Sequence, residues 1–540
     1  PQSPRLNTAN QELILYETSQ LHITILGGIK ITGLDRMRVT LKITSKERNH
    51  LPLRHSLDLY YSKQVEQLTQ KMSEILEISS TSAQKTISDL TGELEIYREQ
   101  KLEALKPKKK EAKIMSQAEH DQAMKYLKDP SLLRNTLEDI GRAGIVGETN
   151  NSLIAYLVYT SRKQNKPLHI ICLGPSGTGK TYLQEGTSQF VPGEEKIEIT
   201  SLSDNAFYYF GREELMHKLI LIEDLDGAEN VLYPLRELQS KRRITKTVTL
   251  KDNKGNLKTV TLVVEGPVCV SGCTTREKLY EDNANRCILL YIDSSEAQDK
   301  RIMAYQQQVA AGKINSKLQQ DIKEKIKNAQ RLLKKIKVVN PYAEMIDLPD
   351  VVFKPRRTLL LLLSFIETIT FYHQYQRPHK TDPNTGEKYI ETTIEDIEAG
   401  FSLMKEVLFS KSDELSKASR TFLEKLKGEV KSGSIFYAKA IRKKFRLAPS
   451  TLKRYLIELT QNGYLKIKGG SKYTGYEYMV CDYDEYDNLT SSIDEKLKEI
   501  LAKISAFSST DGGPVAHQWP TKVSEPLKVQ EIIDLDKVAH

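Results

Sequence analysis

Residues 168–181 read LHIICLGPSGTGKT: an apolar run, a glycine-rich turn, then a lysine and a threonine that open a helix-compatible segment. Strand, loop and helix in that order are what a phosphate-binding loop requires. In Gly174-Pro175-Ser176-Gly177-Thr178-Gly179-Lys180-Thr181 the glycines let backbone N–H groups turn inward around phosphate oxygens. The lysine reaches the β- and γ-phosphates and the threonine hydroxyl ligates Mg²⁺. The bland alternative, a glycine-rich turn without a ligand, gives no reason for the preceding buried strand.

A second element follows downstream. His217-Lys218 leads into Leu219-Ile220-Leu221-Ile222, a buried-strand pattern ending in Glu223-Asp224-Leu225-Asp226. Carboxylates at a strand end beside a phosphate loop hold Mg²⁺ and polarise an attacking water. The expected metal set is Thr181, Glu223 and Asp224, with Glu223 toward the metal and Asp224 toward the water. A solvated acidic turn after a core strand is the competing reading.

Between this acidic end and the next apolar strand lies an insertion. A helix is expected near Leu232–Lys241, with Leu232, Leu235 and Leu238 on one face. Two alternating runs, 243–251 and 257–264, then flank Asp252-Asn253-Lys254-Gly255-Asn256 and read as a hairpin. Lys246, Lys251, Lys254 and Lys258 make it basic, suited to gripping a phosphate backbone; a solvated hairpin kept soluble by its lysines is the alternative. The following strand, 267–273, ends in Thr274-Thr275, hydroxyls placed to orient a water. Arg286 stands just before the apolar run Cys287–Ile292, a candidate arginine finger or else a surface ion pair. Lys354-Pro355-Arg356-Arg357-Thr358 opens an apolar helix, and arginine at a helix start calls for an anionic partner. The alternation of β and α segments predicts a parallel sheet.

Outward from this module, 1–50 reads as a small antiparallel β-element and 51–115 as a helical hairpin with a basic linker at 106–110. The expected helices carry Val65, Leu68, Met72, Ile75 and Ile87, Leu90, Leu94, Tyr97, with Ser79–Ser82 as the turn; an oligomerisation collar or an ordinary packed hairpin fits equally. The ATPase-like module takes 116–410, with helical lead-in 117–163. Residues 411–483 read as a winged helix-turn-helix, with Ser450 as N-cap of the third helix, Gly463 as its stop and Lys453, Arg454 and Lys472 placed to meet DNA; a protein contact is the alternative use. Residues 484–540 read as a short helix near 493–504 and a disordered tail holding Trp519.

At 540 residues and 61.5 kDa the chain has room for several domains. Its 39% hydrophobic and 28% charged content is that of a soluble protein. No apolar run approaches the ~20 residues of a membrane span. The net charge of +9 fits a nucleic-acid partner without requiring one. Cys172, Cys269, Cys273, Cys287 and Cys481 show no zinc spacing and read as reduced core residues of a cytoplasmic protein. The first residue, Pro1, suggests a fragment of something longer.

The order phosphate loop, acidic strand end, helix, basic hairpin, hydroxyl-tipped strand, arginine before a strand, arginines opening a helix and winged helix resembles the AAA+ ATPases. Within them it is most similar to the minichromosome maintenance (MCM) branch and the MCM-like helicases of phages and mobile elements. GPSGTGKT, LILIEDLD and PLRELQSKRRITK with its hairpin carry the likeness, which covers 117–483. It implies an α/β AAA+ fold with inserted hairpin and winged helix, and ATP with Mg²⁺ as cofactors. Lys180 and Thr181 would bind phosphate and metal, Thr274 would fall at sensor 1, Arg286 at the finger and Arg357 at sensor 2. The acidic order is inverted, and sensor 1 is threonine where MCM proteins carry asparagine. The resemblance further implies a ring, commonly a hexamer, moving on single-stranded or forked DNA, with a primase module as a potential companion. A DNA-binding AAA+ initiator, loader or transposition regulator is the second reading. A protein-remodelling ATPase, which would show an aromatic pore loop in place of a basic hairpin, is the third.

Overall fold

The computed structural model describes residues 5–31, 36–46, 50–105, 113–200, 206–226, 232–251, 257–276, 285–471, 473, 475–481 and 483–509. The chain divides into two compact units, residues 1–111 with 249–258, and 112–248 with 259–540.

In the first unit β1 (Arg5–Asn7), β2 (Leu13–Glu17), β3 (Leu21–Leu26), β4 (Arg38–Ser45) and β5 (Leu53–Asp58) pair in sequence order, each antiparallel to the next. Alternation puts Ile14, Tyr16, Ile23, Ile25, Val39, Leu41 and Ile43 on one face. That face shares a core with Leu68, Met72 and Leu76 of α1 (Ser62–Leu76) and with Ile87, Leu90, Leu94 and Tyr97 of α2 (Ser80–Leu105). Three expectations are corrected here. A boundary at residue 50 would cut a sheet, because β5 pairs with β4 from Arg38↔Asp58 to Ile43↔Leu53; sheet and helical hairpin are one folding unit. Leu76 takes the buried place assigned to Ile75, which is exposed. The turn ends at Ser79, whose hydroxyl accepts from Ser82 N, so 80–82 are already helix.

The second unit opens with α3 (Gln117–Leu127), α4 (Leu132–Arg142) and α5 (Thr149–Thr160). Ser116 and Glu119 form a capping box on α3. The sheet then builds from β6 (Ile170–Leu173), α6 (Lys180–Ser188), β7 (Lys196–Ile199), β8 (Lys218–Ile222), α7 (Leu232–Lys241), the hairpin strands β9 (Arg243–Lys251) and β10 (Leu257–Glu265), β11 (Val268–Thr274) and β12 (Ile288–Tyr291). Its strand order is β12-β6-β11-β8-β7, parallel throughout. Such strands are covered on both faces, which is why Ile170–Leu173 and Val268–Thr274 are buried at every position. β9 and β10 stand apart as a two-stranded sheet.

Next come α8 (Glu296–Ala310), α9 (Ser316–Leu332), β13 (Lys337–Val339), α10 (Pro355–Tyr372), β14 (Lys380–Thr381), β15 (Lys388–Glu391) and α11 (Ile394–Ser412). Then follow α12 (Lys417–Glu429), β16 (Ile435–Tyr437), α13 (Ala438–Phe445), α14 (Pro449–Gln461), β17 (Leu465–Ser471), β18 (Gly475–Val480) and α15 (Glu485–Ser509). α12, α13 and α14 share a core with the antiparallel sheet β16-β18-β17. Ser450 is not the N-cap of α14: Pro449 occupies the first turn and Ala448 flanks it, since proline's fixed φ and missing N–H suit that place. Gly463 closes the helix at φ +82°.

The expected short helix is replaced by the 25-residue α15. Its Ile493, Leu497, Ile500 and Ile504 are buried in the core formed by α4, α5, α10 and α11. The chain therefore returns to the parallel-sheet module after the small C-terminal bundle. Trp519 and the tail lie outside the described residues. Cys172, Cys269, Cys273 and Cys287 are buried free thiols, and Cys481 is half-buried and free. Among the described residues no helix is long and apolar enough to cross a membrane.

Candidate nucleotide site

β6 runs into the glycine-rich loop and α6 leaves it, with Lys180 as the first helical residue. Gly177 (φ +81°) and Gly179 (φ +94°) adopt left-handed backbone that side-chain-bearing residues resist, so the loop can fold back over the helix N-terminus. Thr178 Oγ1 donates to Pro175 O at 2.9 Å and fixes the turn. Lys180 is buried, and its Nζ donates to the carbonyls of Gly174 (2.7 Å) and Pro175 (2.6 Å). Those bonds hold the ammonium at the loop, where phosphate oxygens would replace the carbonyls as partners.

Strand order supplies the rest of the site. β11 lies between β6 and β8, with Thr274 opposite Leu173 and Gly272 opposite Ile222. The end of β11 therefore emerges between the phosphate loop and Glu223. A cavity of about 580 Å³ is lined there by Ser176, Gly177, Gly179, Lys180, Thr181 and Tyr182 from the loop and helix, with Glu223, Asp224, Asp226, Cys273, Thr274 and Thr275 opposite. The structure thus brings together the phosphate-loop residues, both carboxylates and Thr274.

Asp226, two residues beyond Asp224, is the centre of the acidic side. Its Oδ1 accepts from Thr274 Oγ1 at 2.6 Å, its Oδ2 from Thr275 N (2.9 Å) and Oγ1 (2.8 Å), and Arg276 Nε lies 3.3 Å away. Burial alone would raise this carboxyl's pKa; the hydrogen bonds from Thr274 and Thr275 and the Arg276 charge hold it below the ordinary value. Thr274 spends its proton on Asp226, and its oxygen accepts from Arg276 N at 3.0 Å. It positions that carboxylate here. Asp224 Oδ1 accepts from Asp226 N, and Glu223 Oε1 accepts from Thr200 Oγ1 at 3.3 Å. The signal in the sequence was the alternation Asp224-Leu225-Asp226, in which Leu225 is buried between two outward carboxylates.

The residues fit Mg²⁺ delivered with a nucleotide. Among the described residues no three His, Cys, Asp or Glu side chains converge into a self-sufficient metal site. Mg²⁺ takes one or two carboxylates plus substrate phosphates and water, and Thr181, Glu223 and Asp224 line the cavity that would receive them.

Arg286 and Arg357 do not line this cavity. Arg286 Nη1 donates to Ser240 Oγ on α7. Arg357 is exposed in the first turn of α10. Lys411 marks where cations gather: burial, with Lys354 and Arg357 nearby, lowers its pKa to about 8, although the neighbouring Cys287 acts the other way. Burial pushes the Cys287 thiol up to about 12, and Lys411 and Arg286 oppose that rise. Sequence reasoning missed Lys411, which looks like an ordinary surface lysine at the end of α11.

A second cavity, of about 220 Å³, opens at the start of α5 between Gly147, Glu148, Asn150, Asp293, Arg301 and Glu406, among others. Glu148 Oε1 accepts from Asp293 N, and Arg301 lies 3.6 Å from Asp293. Asp293 on its wall follows Ile292, whose N–H donates to Leu173 O at 3.1 Å at the end of β6.

Of the residues expected to meet DNA, Lys254 and Lys472 lie outside the described residues. Lys251 and Lys258 fall in β9 and β10, with side chains likewise outside the description. Lys453 is exposed on α14; Arg454 lies over the Tyr455 ring at 5.3 Å, which stacks on Phe422.

The family model described as "MTBMA_p00010 P-loop domain" matches residues 115–335. None of the curated proteins matches the sequence. Solved structures similar to the chain include a full-length MCM homolog from Methanopyrus kandleri, at 11% identity and TM-score 0.34 over 75% of each chain. Another is titled "SCCmec type IV Cch - active helicase", at 10% identity and TM-score 0.23 over 90% of this chain and 98% of that one. The NrS-1 C-terminal region is similar at 14% identity and TM-score 0.21 over 65% of this chain and 76% of that one. The chain thus contains a P-loop domain with a parallel sheet flanked by helices.

Proposed function

We propose that this chain is an ATP-dependent DNA helicase, a ring-forming AAA+ motor of the MCM-like type that works in replication of bacterial or mobile-element DNA. The observation that carries nucleotide hydrolysis is the cavity in which Lys180 and Thr181 face Glu223, Asp224 and the Asp226–Thr274 pair across one sheet edge. Bound Mg²⁺ would supply charge neutralisation for the phosphates. Lys180 and the helix N-terminus orient those phosphates, while the carboxylates hold and polarise a water. This reading seats the base of the same nucleotide in the cavity at Glu148 and Asp293.

The helicase reading rests on the hairpin. β9 and β10 join α7 to β11, so one arm leads from the helix that follows the acidic end and the other into the strand that carries Thr274. A rearrangement of Thr274 on hydrolysis therefore has a covalent path to the hairpin, whose Lys251, Lys254 and Lys258 would hold DNA phosphates. Arg286 and Arg357, set apart from their own chain's cavity, are placed in this reading to complete the site of a neighbouring copy in a homo-oligomer, a hexamer by resemblance. The bundle α12–α14 with β16–β18 follows a winged-helix order. A cytoplasmic setting fits the free thiols, and a primase companion remains part of the resemblance.

The second reading is an AAA+ initiator, loader or transposition regulator, favoured by the same cavity without need of the hairpin. Strand displacement on forked DNA separates them. Unwinding that needs ATP and is lost in Lys180→Ala supports the motor; hydrolysis without displacement at any protein concentration leaves the switch.

A further inference from the structure

The C-terminal bundle carries a surface that the proposed DNA contacts do not explain. α13, α14 and the sheet enclose a groove of about 760 Å³, lined by Lys439, Arg442, Lys453, Ile457, Ile467 and Tyr476 over a floor that includes Leu452 and Leu456. Ile457, Ile467 and Tyr476 are 46%, 47% and 41% exposed, an unusual concentration of bare apolar side chains for so small a bundle. Among the described residues no carboxylate lines the groove, and the charged residues lining it are all cations.

Nucleic acid is a poor match for this floor. Phosphates gain nothing from Ile457 and Ile467, and bases need flat aromatic partners; of the two tyrosines among the described lining residues, Tyr476 is substantially exposed and Tyr478 is buried. A peptide that alternates aliphatic and acidic residues satisfies both halves of the groove. This chain contains one: Glu531-Ile532-Ile533-Asp534-Leu535-Asp536 offers aliphatic side chains for the floor and carboxylates for Lys439, Arg442 and Lys453. The segment lies outside the described residues. α15 ends at Ser509, and the roughly twenty residues between it and this segment can span up to about 65 Å.

We infer that this groove is a docking site for the acidic-aliphatic segment 531–536 of this chain, so that the C-terminal bundle is a protein-contact module.

The test uses the full chain carrying Ile532→Ser, Ile533→Ser and Leu535→Ser, which frees the groove without touching the folded units, and a fluorescent synthetic peptide of residues 526–540. Peptide should bind this variant and bind the unaltered chain markedly more weakly, because the tail competes. Adding Lys439→Glu, Arg442→Glu and Lys453→Glu, all exposed positions, should weaken binding about tenfold, the sum of three surface ion pairs. A peptide with Glu531, Asp534 and Asp536 replaced by lysine should recover that loss on the reversed protein. Equal binding to tail-altered and unaltered chains, equal binding to the charge-reversed protein, or no binding at millimolar peptide would each overturn the inference. So would full displacement of the peptide by a short single-stranded DNA through the same cations, which would make the groove a nucleic-acid site. None of these readouts uses nucleotide, so failure here leaves the motor reading standing, and loss of ATPase activity in Lys180→Ala does not bear on the groove.

Discussion

Asp226→Asn tests the acidic side of the site at its least obvious residue. In the native arrangement three donors converge on this carboxylate: Thr274 Oγ1 at 2.6 Å on one oxygen, and Thr275 N and Oγ1 at 2.9 and 2.8 Å on the other. An asparagine keeps the shape but has one acceptor oxygen. If its amide nitrogen takes the Oδ2 place, it meets the N–H of Thr275 donor against donor; if it takes the Oδ1 place, the Thr274 hydroxyl loses its acceptor. Either way at least one hydrogen bond to a charged acceptor disappears, worth about 1.5–3 kcal/mol. The carboxylate is partly exposed, so the lower end applies. In the second orientation Thr274 no longer has a fixed partner at the sheet edge between loop and Glu223; in the first it is Thr275 that is released. If that order matters only in the transition state, kcat for ATP hydrolysis should fall about tenfold with KM nearly unchanged. Thr274→Val should fall by a similar factor, and the double variant by no more than either alone, because both remove one interaction. A steady-state ATPase assay with a thermal-melting control reads all three. Rates within twofold of wild type, or losses that multiply in the double variant, would refute the role given to this pair. The pH sign is also fixed: the depressed carboxyl adds stability above its unfolded pKa and loses it only as pH falls through the lower folded value. The pair should therefore add no pH dependence between pH 6 and 8.

For the inverted acidic order, Asp224→Asn should trap ATP bound but uncleaved, measured by nucleotide retention on a filter; if only Glu223→Gln does so, the two roles are reversed. Lys411, with its pKa lowered to about 8, is charged in both states at pH 7 and loses its proton first in the folded state. Stability should therefore rise from about pH 8 toward the unfolded lysine value near 10.4, and Lys411→Met should flatten that rise in melting curves. Ile504→Ala, at a fully buried position on α15, should cost about 2–5 kcal/mol in denaturant unfolding of the parallel-sheet unit; an effect below 1 kcal/mol would mean that α15 does not belong to that core. Mixed Arg286→Ala and Lys180→Ala subunits should regain part of the ATPase activity if the arginine acts across an interface, and stay dead in demonstrably mixed rings if it does not.

The sequence showed the site where local chemistry dictates it. The loop 174–181 must carry glycines at left-handed positions such as Gly177 and Gly179, and the strands around it are continuous apolar runs because both faces are buried, so both were legible. Asp226 was not, because its role depends on β11 lying between β6 and β8, a strand order that no local pattern encodes. β5 was missed because LRHSLD leaves only Leu57 fully buried among its side chains, too weak an alternation against the helical signal that follows. α15 looked like a short helix before a tail because its length is polar on the outside; only the distant core of α5, α10 and α11 reveals what Ile493, Leu497, Ile500 and Ile504 are for. Lys453 and Arg454 are visible in sequence as residues that could meet DNA, with a protein contact as the alternative, whereas the convergence of Ile457 with Ile467 and Tyr476 needs the fold.

The central claim is that hydrolysis at the β6–β11 edge drives DNA through the hairpin. It is tested most directly by forked-DNA unwinding with Lys251, Lys254 and Lys258 all changed to alanine. The account predicts that basal ATP hydrolysis survives, that single-strand binding weakens alike at every sequence with a salt dependence shallower by up to about three counterions, and that unwinding is lost. Unwinding at the wild-type rate by this variant would contradict the motor reading and leave the AAA+ switch in its place.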